Sequence, residues 1–200
     1  RPLAAQHAPL LHLVNQPCQE IHLTLRKLAA SLQTVRSIAL VQSKQLYCSS
    51  IFGQRNIPVH QLQPALPTSH PLLTFSYDSS LLKGTPVLIQ WYPASLSGDD
   101  GVLLVINIEL LGELIFNAKS ALITGIGLSV GEKSFISGTG LVDHEALPGE
   151  QIIYRQHSTE FPFTISVSGP GASAVAFNEL PGELPLALII SLLMTGIAWL

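Results

Sequence analysis

Two cysteines, Cys18 and Cys48, are the only thiol-bearing residues in this sequence of 200 residues. A disulfide joins two cysteines only when their Cα atoms lie within about 7 Å. A continuous helix from Cys18 to Cys48 would hold them about 45 Å apart, because a helix rises about 1.5 Å per residue. The pair can therefore meet only if the intervening chain folds back. The cysteine count alone leaves open an oxidising or a reducing compartment.

The segment between the cysteines carries two successive patterns. Apolar residues recur at helical spacing and predict a helix over about residues 19–33, through Ile21, Leu25, Leu28 and Leu32. Strand-forming residues at 35–41, a polar stretch and then Leu46 and Tyr47 predict a hairpin. The helix climbs about 22 Å and the first strand descends by a similar length, so the turn near Ser43 returns to the level of Cys18. The pair is then within reach, and closing this loop would stabilise the fold by roughly 3–4 kcal/mol.

The rest of the chain alternates between strand patterns and turns. Residues 54–72 contain four prolines in polar surroundings and predict a loop. Strands are predicted at 72–77, 87–92, 102–108, 121–130, 134–142, 151–157 and 163–167, and Leu110–Ala118 fits a helix or a strand. The predicted fold class is α+β: one or two N-terminal helices, then an antiparallel sheet of about six strands, with PAS-like and Cache-like folds as candidates.

The C-terminal end is strongly apolar. Residues 184–200 contain no charged side chain, and charged residues make up only 12% of the whole chain, about half the usual share. As a helix this run spans about 25 Å, slightly less than a hydrocarbon core of about 30 Å. A buried core helix is the alternative; we expect the start of a transmembrane helix. The chain begins at Arg1 rather than Met, so we expect a fragment whose residues 1–183 lie between two membrane helices.

Several function classes lack their usual signals. The formal net charge is −3 and no basic stripe is present, so nucleic acid is not an expected partner. No Gly-x-Gly-x-x-Gly loop or tight metal-ligand motif occurs, and Asp143, His144, Glu145 and His157 are interpreted as solvated residues. We therefore expect no catalytic residue, metal or cofactor in this part of the protein.

Two other groups of residues allow either a purely structural or a functional interpretation. Ser49 and Ser50 beside Cys48 could form a nucleophile site, but local hydrogen bonding at a strand end is the favoured interpretation. Tyr77, Trp91 and Tyr92 could line a small-ligand pocket, against a favoured interpretation as core residues.

The segment Leu46–Gly53, with the sequence Leu-Tyr-Cys-Ser-Ser-Ile-Phe-Gly, resembles the hallmark of the CSS-motif sensor domains. These domains lie between two transmembrane helices in bacterial membrane-bound cyclic-di-GMP phosphodiesterases of the EAL type. The resemblance extends to the upstream Cys18, to the strand pattern at 35–41 and to the apolar tail, so it covers essentially the whole chain.

This resemblance implies a disulfide between Cys48 and Cys18 in a periplasmic domain anchored in the inner membrane. The oxidised form would restrain a cytoplasmic phosphodiesterase, and the reduced form would be active and open to proteolysis. Partners implied are the periplasmic thiol-oxidation system, periplasmic proteases, the membrane and a second copy in a homodimer. The enzyme itself would lie beyond this chain: Glu145-Ala146-Leu147 is followed by Pro148-Gly149, where the family's EAL signature continues to an arginine.

The sequence thus predicts a periplasmic redox-sensing regulatory domain over residues 1–183, with its motif at Cys48, Ser49 and Ser50. The alternative is a Cache-like sensor in which the disulfide is purely structural and Tyr77, Trp91 and Tyr92 face a small ligand. A free-standing hydrolase is a third and disfavoured alternative.

Overall fold

A computed structural model describes residues 8–77, 84–110, 123–143, 152–158 and 161–169. These residues fall into two compact units, one ending at Asn107 and the other beginning at Ile108. Both consist mainly of antiparallel sheet with few helices. The cysteines, the motif and the predicted aromatic pocket residues all belong to the first unit.

The first unit opens with a single helical turn, α1 (Ala8–Leu11), and a longer helix, α2 (Cys18–Ser31). The carbonyl of Pro17 accepts hydrogen bonds from the backbone N–H groups of Glu20 and Ile21, which starts α2 directly at Cys18. Cys18, Ile21 and Leu25 are buried along one face, as the helical spacing predicts. The helix predicted over 19–33 is confirmed, and it ends at Ser31 because the next residue is extended.

The predicted hairpin is also confirmed, as β1 (Val35–Gln42) and β2 (Gln45–Ser49) pair antiparallel. Its two turn residues, Ser43 and Lys44, have φ of 49° and 65°. Positive φ at both positions matches the right-handed twist of the strands but costs free energy for residues other than glycine. The Ser43 N–H donates to Asp100 Oδ1 at 2.7 Å, and the Lys44 N–H donates to the Asp99 carbonyl at 2.9 Å. These bonds hold the tip against a neighbouring turn.

Six strands form the sheet of the first unit. The other four are β3 (Gly53–Pro58), β4 (Leu72–Tyr77), β5 (Pro86–Pro93) and β6 (Gly101–Asn107). The order is β3-β2-β1-β6-β5-β4, and every neighbouring pair is antiparallel. The centre is therefore the pair β1–β6. β2 and β3 form a second hairpin, which carries the Cys-Ser-Ser motif and lies at one edge; it is called here the motif hairpin.

The loop prediction for residues 54–72 is wrong in its first part. That segment continues β3 to Pro58 and then forms one helical turn, α3 (Val59–Leu62). No residue of β3 is fully buried, because β3 is an edge strand that pairs on one side only. Periodicity of buried residues is thus too weak to reveal it.

The two faces of this sheet have different roles. Neighbouring residues of a strand point to opposite faces, while paired residues of adjacent strands share a face. Leu40 pairs with Cys48, so the face that carries the cysteine is the one covered by α2. Ala39 pairs with Ser49 on the opposite face. A buried apolar cluster covers much of that opposite face, consisting of Ala39, Val41, Leu46, Val59, Leu66, Val87, Ile89, Trp91 and Leu103.

The second unit has its own five-stranded sheet. Its strands are β7 (Gly125–Val130), β8 (Lys133–Ile136), β9 (Gly140–Val142), β10 (Ile152–His157) and β11 (Phe163–Ser168). They are ordered β10-β11-β7-β8-β9, all antiparallel, with β7 buried along its whole length. The expectation of a single sheet of about six strands is therefore wrong. Strand patterns locate strands without specifying which of them pair.

Three predictions fall on parts of the chain outside the described residues. They are the membrane helix at 184–200, most of the ambiguous segment at 110–118, and the Glu145-Ala146-Leu147 tripeptide. Within the described ranges, no helix combines the length and apolar character needed to cross a bilayer.

Candidate functional site

Cys18 and Cys48 form a disulfide with their Cα atoms 5.3 Å apart, which confirms the predicted pair. The bond joins the first residue of α2 to β2, the first strand of the motif hairpin. Only 7% of Cys18 and 0% of Cys48 are exposed. A thiol must approach a sulfur atom to reduce the bond, so reduction requires local opening.

His22 lies one helical turn after Cys18, above the turn that follows the motif. A Cβ atom at Gly53 would lie 3.6 Å from His22 Nε2, so the imidazole ring packs directly on this glycine. Gly53 has φ of +68°, a conformation that side-chain-bearing residues rarely adopt. His22 Nε2 is buried with no hydrogen-bond partner among the described residues. Sequence reasoning missed this contact, although the spacing of four residues from Cys18 places both on one helix face.

The two motif serines have separate hydrogen bonds. The Ser50 hydroxyl oxygen accepts a bond from the Ile38 N–H at 3.0 Å, and the Ser50 N–H donates to the Ile38 carbonyl at 2.8 Å. Ser49 Oγ accepts a bond from the Ile51 N–H at 3.3 Å, inside the turn itself. Ser50 thus attaches the end of the motif to β1, and Ser49 shapes the turn that leads into β3.

Tyr47, the residue before Cys48, connects the hairpin to the N-terminal segment. Its hydroxyl donates a hydrogen bond to the Leu13 carbonyl at 3.3 Å. Burial raises the pKa of Tyr47 above its usual 10.0, the negative charge of Asp100 adds to this, and a backbone hydrogen bond from Asn15 partly opposes it. The neutral phenol is therefore the form that the folded structure favours.

The three aromatic residues considered for a ligand pocket do not come together. Trp91 is fully buried in the apolar cluster, and its Nε1–H donates to the Thr68 carbonyl at 2.7 Å. Tyr92, as the next residue of β5, points to the other face of the sheet. Tyr77 is 53% exposed at the end of β4 and lines a cavity that neither of the other two lines.

That cavity, called here the motif cavity, lies beside the motif hairpin and has a volume of about 100 Å³. Its lining includes Ala39 and Leu103 from the central strands, together with Ser49, Phe52 and Arg55 from the hairpin. The hairpin therefore supplies Cys48 to the disulfide on one sheet face and cavity-lining residues on the other.

The fold of this chain also occurs in a solved structure. It is similar to the extracellular domain of rpHK1S-Z16, a candidate histidine kinase, with a TM-score of 0.57 and 17% sequence identity. The similarity covers 80% of this chain and 81% of that one. At this level of identity, the likeness concerns the fold.

Residues 4–178 match the family described as the CSS motif domain associated with EAL, and the chain belongs to this family. It is 49% identical over 199 residues to the "Probable cyclic di-GMP phosphodiesterase PdeD" of Escherichia coli K12, covering 100% of this chain and 37% of that protein. It is also 30% identical over 120 residues to PdeN of the same organism, described in the same words, covering 57% of this chain and 22% of PdeN. The chain thus spans little more than a third of PdeD, and the predicted family is confirmed.

Proposed function

We propose that this chain is the periplasmic sensory domain of an inner-membrane cyclic-di-GMP phosphodiesterase, and that its Cys18–Cys48 bond controls the enzyme. The observation that carries the proposal is this disulfide, which links the start of α2 to the hairpin bearing the Cys-Ser-Ser motif. The names of PdeD and PdeN support the choice of enzyme, because the sequence similarity to PdeD extends over this whole chain.

A physical route for control follows from the way α2 is held. Its buried side chains are Cys18, Ile21 and Leu25, so the disulfide is one of few attachments at its N-terminal end. Reduction removes that covalent attachment and leaves the end of the helix held by Ile21 and by the packing of His22 on Gly53. We propose that α2 then shifts, and that residues before Cys18 transmit the shift to a first membrane helix.

Burial of both sulfur atoms sets the conditions under which the switch operates. A reductant or an oxidising protein reaches the bond only in a locally opened state. Once reduced, the hairpin loses a constraint and opens more often, which exposes its backbone to proteases. The proposed partners are therefore the periplasmic thiol-oxidation system and periplasmic proteases.

In the proposed arrangement, two membrane helices hold the sensory domain. Residues 1–183 lie in the periplasm, residues 184–200 begin the second membrane helix, and the phosphodiesterase follows on the cytoplasmic side. A homodimer is the proposed functional unit, because relative movement of paired helices gives the signal a path across the bilayer.

The test measures cyclic-di-GMP hydrolysis by the full-length protein in membrane vesicles, before and after reduction. Reduction should raise the turnover of the wild type. The variants Cys18→Ser and Cys48→Ser should each match the reduced wild type and should not respond to reductant. Agreement between the two variants serves as the matched control, since each removes one sulfur from a different element. Equal turnover of the oxidised and reduced wild type would refute control by the disulfide.

A further inference from the structure

We propose that the motif cavity binds a small organic anion, a monocarboxylate with a short apolar body. This inference does not rest on control of the phosphodiesterase by the disulfide. It comes from three properties of the described lining residues: an apolar floor, two arginines and hydroxyl groups.

The floor of the motif cavity is apolar and belongs to the rigid centre of the sheet. Ala39, Val87, Ile89 and Leu103 are all at least 96% buried and lie in the apolar cluster of this face. An apolar cavity of about 150 Å³ accommodates benzene in a well-studied case. The 100 Å³ found here therefore fits an apolar body of about four or five heavy atoms.

Two guanidinium groups give the motif cavity its charge. Arg36 and Arg55 both line it, and none of the lining residues that the structure describes is an aspartate or glutamate. Arg36 Nη1 is buried, and this side chain is held by interactions within the protein. The guanidinium carbon of Arg55 lies 5.3 Å from the centre of the Phe52 ring. Stacking on an aromatic ring orients the planar guanidinium group, which can then bind a carboxylate through two hydrogen bonds.

Hydroxyl groups complete the polar part of the site. Ser49 uses a lone pair to accept the Ile51 N–H, which leaves its O–H hydrogen outside that bond. Tyr77 contributes to the lining at the end of β4. Positively charged guanidinium groups beside an apolar floor favour a ligand with one anionic end and one apolar end over a fully polar anion.

A ligand bound in the motif cavity would contact two strands of the sheet. Arg36 lies on β1 and Arg55 on β3, with β2 between them. A carboxylate that contacts both guanidinium groups links the edge strand to the centre of the sheet. Because Cys48 lies on the β2 strand that they flank, such a ligand braces the hairpin that carries the disulfide.

The test is a calorimetric titration of the disulfide-bonded protein with isovalerate and with pivalate, whose apolar bodies have four carbon atoms each, and each acid is compared with its neutral amide. We expect saturable binding of at least one carboxylate with a Kd of about 1 mM or tighter. The corresponding amide should bind at least about tenfold more weakly, since it lacks the charge. Sulfate at equal ionic strength should not compete, because it has no apolar end.

Charge-neutralising variants locate the site. Arg55→Gln should weaken carboxylate binding by about tenfold or more. Arg26→Gln on α2 is the matched control: the residue is exposed, does not line the cavity and carries the same charge. It should leave affinity unchanged. Arg36→Gln should act like Arg55→Gln; if that variant fails to fold, the exposed Arg55 still decides the question.

Three results would each overturn the inference. One is the absence of saturable binding of both carboxylates, and another is equal binding of an acid and its amide. The third is an equal effect of Arg55→Gln and Arg26→Gln, since carboxylate binding would then reflect net charge rather than the motif cavity.

Discussion

Reduction of the Cys18–Cys48 bond should lower the free energy of unfolding by about 3.7 kcal/mol. The cysteines are 30 residues apart, and the chain-entropy relation assigns this value to a closed loop of that size. Comparing oxidised with reduced wild type isolates the cross-link, because no buried side chain is truncated. Urea denaturation has a slope of about 1–3 kcal/mol per molar for small proteins, so the midpoint should fall by about 1–4 M.

The assay follows unfolding by the fluorescence of Trp91, which is fully buried in the same unit as the disulfide, and by circular dichroism. The double variant Cys18→Ala/Cys48→Ala provides the control, since its midpoint must not respond to the reductant. A difference of less than about 1 kcal/mol between oxidised and reduced wild type would refute the reasoning, because the bond would then leave the unfolded chain essentially unconstrained.

Three further predictions concern the surroundings of the site. Gly98→Ala should destabilise the fold by clearly more than Gly84→Ala: both glycines have positive φ, but only the Cβ at position 98 would meet neighbouring backbone. Equal urea midpoints would contradict that steric argument. Ser50→Ala should cost about 1–3 kcal/mol, because a buried N–H of β1 loses its acceptor, whereas Ser31→Ala on the exposed end of α2 should cost less. A smaller loss for the first variant would exclude this role. Above pH 10.0 the phenol of Tyr47 ionises in the unfolded state before it does in the folded state, where Tyr47 is half-buried, so stability should fall with rising pH, and less steeply in Tyr47→Phe. Identical pH profiles of unfolding free energy would show that this phenol does not contribute.

The helix and hairpin around the disulfide could be predicted because their signals are local. Apolar residues at helical spacing define the buried face of α2, and a polar turn between two strand-forming runs defines the hairpin. Because the helix and the first strand of the hairpin have similar lengths and run in opposite directions, the chain returns to Cys18 and brings Cys48 near it. The pairing itself came from the family resemblance, and the structure agrees with it.

Strand pairing could not be predicted in the same way. β3 has no fully buried residue, so its pairing with β2 leaves little trace in the sequence pattern. The division into two sheets depends on contacts between segments that are distant in sequence. The periodicity of apolar residues carries no information about these contacts. Trp91 and Tyr92 illustrate a further limit: adjacent residues of a strand face opposite sides and cannot line one pocket from the same face.

The motif cavity was also beyond prediction from sequence. Arg36 and Arg55 lie in separate elements, and both line the cavity because β1 and β3 both flank β2. The spacing of Phe52 and Arg55 gave no reason to expect the ring contact that the turn at Gly53 produces.

The most direct test of the account is the state of the two thiols in the protein as it occurs in the cell envelope. Free thiols are alkylated in isolated membranes, and the non-reduced protein is digested with trypsin. Cleavage at Arg26, Lys44 and Arg55 places Cys18 and Cys48 on separate peptides. We predict a cross-linked peptide pair that separates on reduction. Recovery of both peptides in alkylated form would contradict the central claim that this disulfide forms in the periplasm and governs the domain.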